Sequence, residues 1–253
     1  MNMQKLMKSE KDGILQLKIN RQEVRNAIDF DLMDEFESAI TQIKDNATLK
    51  GVVLIGEGER AFCSGGDLSV FHQLKTKEEA FNMLSRMGNI LYEWMTLPIP
   101  TFSILNGTAV GGGCEIATAC DFRIAKRSAK VGFIQGKLAI TTGWGGASML
   151  FEKLPHAQAM EMLCSAKVYT AKEAHALGFI TKIVEDDYFE QEAYEYINTV
   201  TACSVDVLKA YKQNKVLEWK QRLKEKMEEE INRCSILWEK EEHINAVNQF
   251  LSQ

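Results

Sequence analysis

Asn106-Gly107-Thr108-Ala109-Val110-Gly111-Gly112-Gly113-Cys114-Glu115 runs on into Ile116-Ala117-Thr118-Ala119-Cys120-Asp121 and is preceded by Thr101-Phe102-Ser103-Ile104-Leu105. The apolar run after Pro98 and Pro100 reads as a buried strand, the glycines as a turn, and Cys114 to Cys120 as a helix of small residues. Three glycines at a helix start leave backbone N–H groups uncovered, with the positive end of the helix dipole behind them. Such a place holds an anion or oxyanion, and Glu115, in the first turn, is positioned to act as an acid or base. A triple glycine is also an ordinary tight turn, and a first-turn acid also compensates a helix dipole, so other segments must decide. A phosphate loop is disfavoured: no Lys-Ser/Thr pair follows the glycines, and no clean Gly-x-Gly-x-x-Gly spacing is present.

Outward from this stretch the chain alternates strands and helices. Ile14–Ile19 is strand-like, and a helix begins near Asp29 and runs to about Asp45 with Leu32, Phe36, Ala39, Ile40 and Ile43 on one face. Gly51–Gly56 then reads as a fully buried strand. A second glycine turn follows in Arg60-Ala61-Phe62-Cys63-Ser64-Gly65-Gly66-Asp67-Leu68. Taken alone it is a turn with Asp67 as a helix cap. As the second such turn, it offers a Gly66 N–H that meets one from Gly112 on a single oxygen if the two preceding strands are neighbours in a sheet.

Glu78–Met95 reads as a long amphipathic helix closed by Pro98 and Pro100. Phe122–Ala125 and Lys130–Phe133 read as strands, the latter ending at Ile134-Gln135-Gly136-Lys137, and Thr141-Thr142-Gly143-Trp144-Gly145-Gly146 leads into a helix. Pro155–Cys164 is helical. Thr170 caps a helix that ends at Gly178, and Phe179–Val184 is the last strand. After Asp187 no glycine or proline interrupts a series of helices, whose charged run Lys220–Glu230 reads as a solvated face. The expected organisation is an α/β core over 1–186 and a helical, oligomerising region over 187–253.

With 45% hydrophobic and 26% charged residues in 253, the chain is of ordinary globular composition, and its net charge of −5 gives no broad reason to bind nucleic acid or acidic membranes. No membrane-length apolar run and no signal-type core at the amino end are found, so a cytoplasmic protein is expected. The six cysteines lack paired spacing and the four histidines lie far apart, so no metal site and no disulfide framework is expected.

Four ordered segments, Asn20-Arg21 through Asn26-Ala27, Ala61 through Leu68, Asn106 through Asp121 and Thr170 through Gly178, together resemble the crotonase, or enoyl-CoA hydratase/isomerase, superfamily. The resemblance implies a spiral of ββα units with a C-terminal helical region, assembled as a homotrimer or hexamer. It implies an acyl-CoA substrate, with coenzyme A as part of that thioester and no permanently bound cofactor. The oxyanion hole would be Gly66 and Gly112, and Glu115 the first catalytic glutamate. Val24, Arg25 and Ala27 fall where the family contacts CoA, Arg25 being suited to a phosphate. Ser64, Gly65, Asp67, Leu68 and Trp144 fall at the substrate.

Two positions depart from the family pattern. Gln22 stands where proline is usual, and Gln135 stands where hydratases carry a second catalytic glutamate. An amide positions water but does not exchange a proton near neutrality. With Thr142-Gly143-Trp144-Gly145-Gly146, this looks more like the methylmalonyl/ethylmalonyl-CoA decarboxylase branch, in which one carboxylate suffices for enolate chemistry. A hydratase or isomerase, a decarboxylase, and a non-catalytic CoA-binding or scaffold protein are the three readings the sequence leaves.

Overall fold

A computed structural model describes residues 4–252; the first three residues of the amino-terminal segment and Gln253 of the helical region lie outside the described residues. In chain order the elements are β1 (Leu6–Lys11), β2 (Ile14–Ile19), α1 (Phe30–Asp45), β3 (Gly51–Gly56), β4 (Ala61–Cys63), α2 (Leu68–Phe71) and α3 (Lys77–Met95). They continue with β5 (Thr101–Leu105), β6 (Thr108–Val110), α4 (Gly112–Ala119), β7 (Phe122–Lys126), β8 (Lys130–Gly132), α5 (Gly146–Phe151) and α6 (His156–Cys164). The last are β9 (Tyr169–Thr170), α7 (Ala171–Ala176), β10 (Lys182–Val184), α8 (Phe189–Val200), α9 (Val205–Trp238) and α10 (Glu241–Leu251).

Local chemistry sets most of these boundaries. Asp29 caps α1 by accepting from Leu32 N at 2.9 Å, and α1 buries Leu32, Phe36, Ile40 and Ile43 on one face. Reciprocal capping boxes start α3 at Thr76/Glu79 and α7 at Thr170/Glu173, each satisfying donors a helix start leaves free. β3 is buried along its whole length because it is a central strand with neighbours on both edges and layers on both faces.

Two sheets result. The larger runs β1-β2-β3-β5-β7-β10, parallel except for the β1–β2 hairpin; the smaller runs β4-β6-β8-β9, with only β9 antiparallel. This is the α/β architecture expected. Three boundaries differ from the sequence reading. Leu6–Lys11, which reads as a polar amino end, is an edge strand with Leu6 buried and the rest mostly outward. The segment after β8 turns into a short 3-10 helix at Ile134–Leu138, and the last strand is confined to Lys182–Val184. Phe179 and Ile180, both buried, pack into the core from a turn instead, their N–H groups bonding back to Ala174 O.

The central consequence of the topology is the β4–β6 pair. These strands are parallel, with Cys63 opposite Ala109, so the glycine turns that follow them leave the same end of the sheet side by side. The long α9 lies against α3 and sends Val216, Leu223, Met227, Ile231 and Cys234 into the main core. Among the described residues no helix is long and apolar enough to cross a membrane, and all six cysteines are free.

Candidate active site

The two glycine turns meet. Gly65 takes φ +101°, and a Cβ there would stand 2.9 Å from Gly112 N, so both the backbone conformation and the close approach demand glycine. Ile28 bridges to this turn by donating to Gly65 O and accepting from Asp67 N, each at 2.8 Å. Gly66 N–H is left out of that ladder and Gly112 N–H opens α4; among the described residues neither has a hydrogen-bond partner. Both glycines line one cavity of about 480 Å³. The Trp144 indole lies across them: a Cβ on Gly112 would come within 2.1 Å of its Cζ3, and one on Gly66 within 3.5 Å of its Cζ2.

Glu115, 2% exposed, projects into the same cavity. Its carboxylate accepts from Trp144 N and Gly146 N at 2.8 Å each and from Gln135 Nε2 at 2.9 Å. The backbone donors around Glu115 therefore come from the turn that opens α5, not from the glycines of its own helix. Burial, reinforced by the charge of Glu230 on α9, pushes the Glu115 carboxyl up to about 8, against the N–H groups that favour its ionised form. The shift favours the protonated acid near neutral pH. Gln135 is also buried, and among the described residues its Oε1 has no partner. The remaining wall is mostly apolar and includes Phe71, Met83, Leu84, Ile140 and Trp238, with the exposed Lys137 as the one cationic side chain among the described residues that line the cavity.

Of the residues singled out in the sequence, Ser64, Gly65, Gly66, Leu68, Gly112, Glu115, Gln135 and Trp144 line this cavity; Val24, Arg25, Ala27 and Asp67 do not. Asp67 is a structural group: it caps α2 through Ser69 N at 3.1 Å and pairs with Arg21 at 3.0 Å. The 24–27 loop sits beside the cavity, since Ser64 N donates to Arg25 O at 3.1 Å, and Arg25 itself is exposed in a left-handed conformation. Sequence reasoning missed Glu230. Within a run that reads as a solvated face, it is 7% exposed and accepts from Thr142, Ala147 and Ser148. Its position on the buried stripe of α9 with Met227, Ile231 and Cys234 is the signal that marks it as inward.

The sequence profile of the enoyl-CoA hydratase/isomerase family matches residues 9–253. The chain belongs to this family. Curated members similar to it include the mitochondrial methylglutaconyl-CoA hydratase of Mus musculus, 32% identical over 74% of this chain and 60% of that protein. The short-chain-enoyl-CoA hydratase of Clostridium acetobutylicum is 33% identical over 81% of this chain and 78% of its own length, and the ethylmalonyl-CoA decarboxylase of Xenopus tropicalis 29% over 90% and 76%. The chain spans about 60% of the length of the mammalian hydratases it matches. Among solved members, an enoyl-CoA hydratase from Bacillus halodurans shares the fold at TM-score 0.89 and 24% identity, covering 97% of this chain and all of that one. One from Bacillus anthracis is 27% identical at TM-score 0.79, over 88% and 90% of the two chains. Hydratases and decarboxylases are both among its relatives.

Proposed function

We propose that this protein is an acyl-CoA lyase that generates a thioester enolate, its carbonyl oxygen lying between Gly66 N–H and Gly112 N–H. The observation that carries this reading is that two backbone donors, unpartnered among the described residues, a buried carboxyl and a neutral amide face one largely apolar cavity. Donors fixed in advance and shielded from water stabilise developing oxyanion charge most strongly. A carboxyl protonated at neutral pH is suited to delivering a proton to the α-carbon.

Decarboxylation of a malonyl-type thioester fits these groups best. As carbon dioxide leaves, the electrons of the broken C–C bond pass into the enolate, whose charge rests on the oxygen between the two N–H groups. Glu115 then gives its proton to the α-carbon. Gln135 suits this route because a glutamate there would set a second negative charge beside the substrate carboxylate. Hydration is the second reading, favoured by one observation: Gln135 Oε1 is buried without a partner, and a water bound to it would lie next to Glu115. Arg25, with Val24 and Ala27, contacts the CoA moiety in this proposal, and the chain assembles as a homotrimer or hexamer.

A panel of crotonyl-CoA, methylmalonyl-CoA and ethylmalonyl-CoA, followed by thioester absorbance and released carbon dioxide, tests the proposal. Carbon dioxide from a malonyl-type thioester, with little hydration, is the expected result. Crotonyl-CoA hydration at hundreds per second, well within the range of roughly 1–10³ s⁻¹ for efficient enzymes, would reverse the order of the two readings. Failure to turn over or bind any of the three would remove both.

A further inference from the structure

Two buried carboxylates grip one loop from opposite sides. On the α4 side Glu115 Oε2 takes Trp144 N and Gly146 N. On the α9 side Glu230 Oε1 takes Thr142 Oγ1 at 2.6 Å and Ala147 N at 3.1 Å, while Oε2 takes Ser148 N at 2.7 Å and Ser148 Oγ at 2.6 Å. The free N–H groups at the start of α5 are thus divided between them. Glu230 does not line the cavity. A buried carboxylate is an expensive way to hold a loop, because desolvation offsets most of what its hydrogen bonds return. Its charge, however, acts on its neighbour.

We propose that Glu230 is a positioning residue for Glu115, acting through the Thr142–Ser148 loop by fixing where that loop presents its N–H groups and by setting a like charge behind the acid. The proposal rests on Glu115 being the acid of the reading above. Burial opposes the ionised form of Glu230, and the hydrogen bonds from Thr142, Ala147 and Ser148 favour it. Cys114 on α4 and Cys234 on α9 also face Glu115, but burial pushes both thiols up and keeps them neutral. From α3 the cavity receives Met83 and Leu84, and Lys137 is exposed to solvent. The Glu230 charge makes ionisation of Glu115 harder, so removing it lets Glu115 release its proton at lower pH.

Infrared pH-difference spectra of the substrate-free protein test this, with the Glu115 band identified as the carboxyl C=O stretch that Glu115→Gln abolishes. In Glu230→Gln the midpoint of that band should fall by roughly one pH unit or more, and turnover at neutral pH should fall roughly two-fold for a one-unit shift and roughly ten-fold for two, with little change in KM. If Glu230→Gln does not fold, Glu230→Asp replaces it, since it keeps the charge but draws it back by one methylene; a smaller fall of the midpoint is expected. An unmoved midpoint in the folded variant overturns the proposal whatever the kinetics. A moved midpoint in a protein that turns over no acyl-CoA upholds the coupling of the two carboxyls and removes the enzymatic reading instead.

Discussion

Glu115→Gln should make the protein more stable at alkaline pH while abolishing proton delivery, and the size of the gain follows from the burial of the carboxyl. In the folded chain its proton affinity rises from the ordinary 4.5 to about 8. Across that window the folded state keeps a proton that the unfolded state has released, so stability falls as pH rises from about 4.5 to about 8. Three and a half pH units at about 1.4 kcal/mol each set a ceiling of about 5 kcal/mol. Glutamine mimics the protonated acid, so at pH 5 the variant and the wild type should lie within about 1 kcal/mol of each other. At pH 8 the variant should be more stable by about 2–5 kcal/mol, the lower figure allowing for relaxation of the loop around a charge. Urea unfolding at pH 5 and pH 8, at one protomer concentration because assembly adds to apparent stability, measures both values. Parallel pH dependences for the two proteins, or a wild type more stable than the variant at pH 8, would refute the reasoning that Glu115 is held protonated by burial.

Gly112→Ala would place a Cβ 2.1 Å from Trp144 Cζ3 and drive the indole off the glycine turns. Turnover of the thioester substrate should drop by about 10²–10³-fold, with a changed near-ultraviolet circular dichroism spectrum; unchanged turnover would detach the two turns from the chemistry. Arg21→Ala removes the guanidinium that pairs with Asp29 and Asp67, both at 3.0 Å, and bonds Ala27 O at 2.5 Å. Leaving Asp67 buried and unpaired should cost about 3–5 kcal/mol in thermal unfolding, and a loss below about 1 kcal/mol would mark the pair as effectively solvated. Light scattering should give a mass at least three times 28.6 kDa. Exposed Tyr211 and Leu217 on α9 are candidates for the covered surface, and a monomer at micromolar concentration would contradict the proposed assembly.

The sequence by itself determined what is local. Caps at Asp29 and Thr170, the proline stop before β5, the strand–glycine–helix run and the position of Glu115 are written in neighbouring residues, because turns, caps and periodicity act over a few positions. The family resemblance lay in ordered short motifs and was legible for the same reason. What only the tertiary structure decided depends on which distant segments pack together. Short β6 has no alternation long enough to announce itself, yet its pairing with β4 is what brings the two glycine turns into contact. Asp67 has the look of a site residue in sequence and is claimed instead by Arg21, 46 residues earlier. Glu230 sits in a charged run, and only the docking of α9 against α5 turns it inward to hold Ser148, 82 residues earlier. Whether a carboxyl is solvated or buried is a property of its surroundings, and burial is what raises the proton affinity of Glu115.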